Sequence, residues 1–80
     1  MKLYDIQVNS YAGYKADERP LDFTFEGKKY SIKNIIHQSY EKNIPGGLLR
    51  RIFTVETDEG STFKLCYDET KDRWFMEDQA

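Results

Sequence analysis

The sequence is short of the residues around which small proteins usually organise chemistry. Among 80 residues there are one cysteine, one histidine and two prolines. Cys66 alone closes no internal disulfide, and small domains of oxidising compartments use several, so a cytoplasmic location is expected. Cys66 and His37 together fall short of the four nitrogen or sulfur ligands of a structural zinc site, and neither a metal nor a cofactor is expected. No stretch approaches the roughly 20 apolar residues of a membrane helix, and no signal-like run follows Met1 and Lys2. Asp78-Gln79-Ala80 matches no lipidation or retrieval signal, so a complete, soluble chain with no membrane partner is the expectation. Excess charge is missing too. Twelve basic side chains face fourteen acidic ones, a net charge of −2 that steers no polyanion or polycation towards the molecule as a whole.

Aliphatic residues are scarce, and aromatic ones stand in for them. Leu, Ile, Val and Phe supply only 18 residues, but Phe, Tyr and Trp make up 15% of the chain, and each buried ring removes about 150–250 Å² from water. Eighty residues build one domain, which buries only about 60% of its unfolded surface. A single all-β domain over residues 1–80 is expected, because apolar residues alternate with polar ones in short runs separated by turn signals. Charge is uneven along the chain: Lys15 to Arg51 carries +3 and Ile52 to Ala80 carries −5. A basic face follows only if the fold keeps the two blocks apart.

Tyr4, Ile6 and Val8 alternate with Asp5 and Gln7 in a first strand, and Asn9 to Arg19 reads as the longest loop. Leu21, Phe23 and Phe25 form the apolar side of the next strand, which turns at Gly27-Lys28. Lys29 to Lys42 admits two readings, since Ile32, Ile35, Ile36 and Tyr40 also fit helical spacing. The favoured one is a long strand with a β-bulge near Asn34 or Ile35 that returns Ile36 to the buried face, because no capping pattern opens a helix. Asn43-Ile44-Pro45-Gly46-Gly47 is a loop. Leu49, Arg51, Phe53 and Val55 then share one strand face, Asp58-Glu59-Gly60 turns the chain, and Phe63, Leu65 and Tyr67 alternate in the following strand. A second turn at Asp68 to Asp72 leads to Arg73-Trp74-Phe75-Met76, which completes a C-terminal three-strand meander. The fold expected is a single small antiparallel sheet of five or six strands curled into an SH3-like barrel.

Catalytic signatures are absent from this pattern. His37 has no nucleophile motif around it, and Cys66 sits between Leu65 and Tyr67 as an inert thiol. Asp68, Glu69 and Asp72 lack the glycine and terminal glutamate of a calcium loop, and Gly46-Gly47 lacks the lysine of a phosphate loop. The chain is therefore expected not to be an enzyme. What remains is a set of cations and rings: Lys28, Lys29, Tyr30, Lys33, Tyr40, Arg50 and Arg51. Lysines and arginines touch phosphates and rings stack on bases, so this set suits single-stranded nucleic acid. An exposed strand edge or aromatic patch equally suits a protein partner, with the chain a monomer or an edge-paired homodimer.

The run from Asp58 through Gly60, Phe63, Leu65, Asp68 and Trp74 to Phe75 follows D-x-G-x-x-[FY]-x-L-x-x-D-x-x-x-x-x-W-[FWY]. In this it resembles a small bacterial domain family of unknown function, and Gly13 to Pro20 is similar to free-standing members of that family. Versions of the domain also occur at the C-terminus of a Y-family-polymerase-like protein of mutagenic DNA repair, so the resemblance implies a binding role near DNA replication. The first expectation is a non-enzymatic protein-binding module whose contact surface is formed by outward side chains near Tyr40, Arg50 and Arg51. The second is direct single-stranded nucleic-acid binding by Lys28, Lys29, Lys33, Tyr40, Arg50 and Arg51.

Overall fold

The computed structural model describes residues 3–11, 19–43 and 48–77. The centre of the expected first loop and the tip at Ile44 to Gly47 lie outside them. Six antiparallel strands follow in chain order: β1 (Leu3–Tyr11), β2 (Arg19–Phe25), β3 (Lys28–Asn43), β4 (Leu48–Thr57), β5 (Thr62–Asp68) and β6 (Arg73–Glu77). Each pairs with its sequence neighbours and β6 returns to β1, so the sheet closes into a small SH3-like barrel. No helix occurs among the described residues, and Lys29 to Lys42 is strand.

Two strands serve two partners in succession. Leu3 to Ile6 of β1 pair with β6, whereas Gln7 to Tyr11 pair with β2. Lys28 to Ser31 of β3 pair with β2, whereas Ile32 to Asn43 pair with β4. The tight turn into β3 has positive φ at both Glu26 and Gly27, the mirror-image geometry that matches strand twist.

The core is a stack of cross-strand rows whose side chains point inward. Phe53, Leu65, Met76 and Tyr4 lie side by side on β4, β5, β6 and β1, and Tyr67, Trp74 and Ile6 form the next row. Trp74 packs against Tyr67 at 4.9 Å and Phe53 at 5.6 Å between ring centroids. Phe23, Tyr30 and Phe63 meet in a three-ring cluster below them, with centroids 5.0 to 5.3 Å apart.

The outward face is not wholly polar. Ile52 and Cys66 oppose each other there, next to Phe75, and both are buried between the ion pairs Arg50–Glu41 and Lys64–Glu77. Asp68 is buried as well, and its Oδ1 accepts the backbone N–H of Thr70 at 2.9 Å and Lys71 at 3.1 Å, which fixes the β5–β6 turn.

Three extra residues break the alternation, and two of them correct the sequence expectation. Asn9 pairs with Asp22 but Ser10 with Pro20, so Leu21 is skipped: it stands 50% exposed, and Pro20 is buried instead. In β3 the register skips Lys33 and then Ile36. The first bulge keeps both Ile32 and Ile35 against the core; the second leaves Ile36 outside, 59% exposed, rather than returning it inward. Ile36→Thr is accordingly expected to change stability by no more than about 0.5 kcal/mol in urea unfolding, and Ile35→Thr by clearly more. Trp74→Ala removes the indole from two ring contacts and is expected to cost about 3–5 kcal/mol, read by circular dichroism on heating.

Candidate functional site on the β3–β4 arm

Beyond Ile36, β3 runs on with β4 as its one partner strand among the described residues, and this arm carries their most exposed aromatic side chain, Tyr40 at 54%. Tyr40 stands opposite Arg51, and Arg51 opposite Tyr67, in the row that continues to Trp74. Cross-strand partners share a face, so Tyr40 and Arg51 lie on the concave side of the arm, as does Gln38 opposite Phe53. Glu69, just past β5, ties the two together. One carboxylate oxygen accepts Arg51 Nε–H at 2.7 Å and the other accepts the Tyr40 hydroxyl at 2.9 Å. The guanidinium lies 5.9 Å from the Tyr40 ring centre. Donation to Glu69 favours the protonated phenol and raises the Tyr40 pKa above its ordinary value. Gln38, Ser39, Tyr40 and Arg51 line an open pocket of about 490 Å³ beside this triad.

Arg50 points the other way. It opposes Asp68 on the convex face and reaches Glu41 at 3.3 Å, so only Tyr40 and Arg51 of the expected outward trio share a face, and Arg51 is turned inward with 17% of its side chain exposed. The remaining members of the set lie far away. Lys28 is twelve residues from Tyr40, at the other end of β3 beyond both bulges. Its ammonium is held by Glu59 at 3.0 Å, 4.9 Å from the Tyr30 ring centre, and the hydrogen bond to Glu59 raises its pKa. Lys29 pairs with Asp22 at 3.8 Å, and Lys33 is the exposed residue of the first β3 bulge. The cations expected to form one surface thus divide between two ends and two faces.

Gln38 was not expected here, and Glu69 was weighed only as part of a calcium loop, although hairpin arithmetic contains a signal for its place beside Arg51. A turn centred on Glu59 sets Arg50 against Asp68 and Arg51 against Tyr67, which brings the Arg50-Arg51 and Asp68-Glu69 pairs together across two strands. Gln38 carries no such signal, because its face depends on the two bulges.

His37 is exposed on β3 opposite Thr54. Among the described residues no three His, Cys, Asp or Glu side chains gather as a metal would require. Cys66 is 1% exposed with its Sγ 3.8 Å from Glu77, and burial, aided by the Glu77 charge, pushes the thiol up to about 11. It is therefore protonated and unreactive at neutral pH. A second hollow, of about 680 Å³, lies where β1 changes partners, between Asp5, Gln7, Thr24, Glu26 and Arg73; Arg73 pairs with Asp5 at 2.9 Å across its rim. These features define a small closed all-β barrel with a β3–β4 arm. No family model, no curated protein and no solved structure matches the chain.

The raised thiol pKa has a signed consequence for stability. An unfolded thiol ionises near 9, before the folded one, so the contribution of Cys66 is full below pH 9 and is lost as pH rises towards 11. Urea titrations from pH 8 to 11 are expected to show a decline that is steeper in the wild type than in Cys66→Ala, the difference being at most about 3 kcal/mol.

Proposed function

We propose that the chain is a non-enzymatic protein-interaction module that binds its partner through the β3–β4 arm. The observation that carries this reading is the arm itself: from Ile36 to Asn43, β3 has β4 on one side and, among the described residues, no strand on the other, with Ile36 and Tyr40 exposed along it. Edge strands that bear exposed apolar side chains are docking elements. An unreactive Cys66 and a solvent-facing His37 support the non-enzymatic part. A thiol without a disulfide partner fits a cytoplasmic site of action. The resemblance of Asp58 to Phe75 to a domain linked with mutagenic repair favours a partner in a replication or repair assembly.

Direct nucleic-acid binding is the competing reading, and the ion pairs weigh against it. Lys28, Lys29, Arg50 and Arg51 each face a carboxylate, and a phosphate would have to displace it. The expected outcome is that proteins retained by the immobilised chain are lost when it carries Ile36→Thr with Tyr40→Ala, and that amides 36–43 gain protection from hydrogen exchange in the retained complex. Fluorescent single-stranded DNA and RNA are expected to give no anisotropy change at low salt. Micromolar, steeply salt-dependent binding of either would replace the protein partner with a nucleic acid.

A further inference from the structure

We infer, building on the interaction role proposed above, that the pocket beside Tyr40 takes a carboxylate of the partner on the two terminal NH2 groups of Arg51. The hydrogen bonding of Arg51 is the reason. Its side chain is only 17% exposed, yet Nε–H is the one donor it hydrogen-bonds among the described residues, to Glu69 at 2.7 Å. A guanidinium has five N–H donors in a planar fork, and largely buried polar groups are seldom left unused. The bond to Glu69 through Nε leaves Nη1 and Nη2 for a second carboxylate, which such a pair grips by two parallel hydrogen bonds. Arg51 lines the pocket of about 490 Å³ with Gln38, Ser39 and Tyr40, so a ligand seated there meets it directly.

The neighbours suit a singly charged anion joined to an apolar body. Gln38, Tyr40 and Lys42 alternate along β3 opposite Phe53, Arg51 and Leu49, so the three share the concave face. Gln38 and Lys42 are exposed, and among the described residues neither has a hydrogen-bond or ion-pair partner. Lys42 follows Tyr40 by two residues, roughly 7 Å along the strand, and adds a second cation to the face. Two cations against the one carboxylate of Glu69 balance a single further negative charge, whereas a phosphate monoester brings almost two. The exposed Tyr40 ring, held by the bond of its hydroxyl to Glu69 at 2.9 Å, offers an apolar face to the group that carries the carboxylate. Because Glu69 fixes both the ring and the guanidinium, binding orders neither anew.

The probes are N-acetylleucine, with a main-chain carboxylate, and N-acetylglutamate amide, with a side-chain one, titrated into the full isotope-labelled chain and followed by NMR. Low-millimolar binding of at least one is expected, with the Nε–H signal of Arg51 and the amides of Gln38 to Lys42 shifting together. The neutral isosteres, N-acetylleucinamide and N-acetylglutamine amide, are expected to bind at least tenfold more weakly. A tenfold preference between the two acids assigns the partner's carboxylate to its chain terminus or to an acidic side chain. Arg51→Lys keeps the charge but removes the fork, and is expected to weaken binding at least tenfold in a chain whose amide spectrum remains folded. Lys42→Gln, at an exposed position, is expected to weaken it about threefold. Equal affinity for acids and isosteres, full affinity in Arg51→Lys, or no saturable shift up to about 100 mM overturns the inference. So does phenyl phosphate binding tenfold more tightly than either acid, since the fork then reads a phosphate. If the acids bind but Arg51→Lys retains partner proteins as well as the wild type does, the carboxylate is not the partner's and the inference falls. If partner proteins are lost with the Ile36 and Tyr40 substitutions while neither acid binds, the interaction role stands and the carboxylate site falls.

Discussion

The structure depends on one strand serving two neighbours. β1 gives Leu3 to Ile6 to β6 and Gln7 to Tyr11 to β2, and this division turns a six-strand meander into a closed barrel. Closure rests on a short contact, because β6 has five residues and turns only Trp74 and Met76 towards the core. In a chain with few aliphatic side chains those two must do what a longer strand would share out. Trp74 does so by bridging the Tyr67 and Phe53 rings, so the row nearest the arm is held by tilted ring contacts.

Closure also decides what happens to charge. Along the sequence the middle third is basic and the last third acidic, but antiparallel pairing lays β4 against β5 and interleaves them. Glu41, Arg50, Asp68 and Arg73 lie side by side on four consecutive strands, and Arg73 reaches Asp5 on the next, an alternation of sign across the convex surface. Exposed pairs of this kind contribute little to stability. Their effect is on recognition: most of the cations that looked available for phosphates already have carboxylates beside them.

The same closure leaves the arm. β2 follows β3 only as far as Ser31, whereas β3 continues twelve residues further with β4. Among the described residues β3 therefore keeps a side without a partner strand beyond Ser31, as β1 does beyond Ile6 on the side away from β2, and beside the β3 arm stands a ring, Tyr40, fixed by Glu69. Bulges at Lys33 and Ile36 twist the edge at its root, which restrains indiscriminate pairing without closing the remaining stretch.

Strand positions, the three legible turns, the all-β class and the inward set of Tyr4, Ile6, Phe23, Phe53, Val55, Leu65 and Trp74 follow from residue order, because a two-residue period and turn chemistry are local properties. The chemical character of Cys66 was legible in the same way, from Leu65 and Tyr67 on either side. Leu21 and Ile36 were not. Their exposure depends on single skipped residues, and a skip is set by how a bent strand must pass from one partner to the next. The dispersal of Lys28, Lys29, Tyr40, Arg50 and Arg51 was hidden for the same reason: which face and which end a side chain occupies is fixed by register against strands distant in sequence. Residue order thus determined what the strands are made of. Tertiary structure alone decided which strand segments pair and which charges meet, because both depend on where each strand's partner ends.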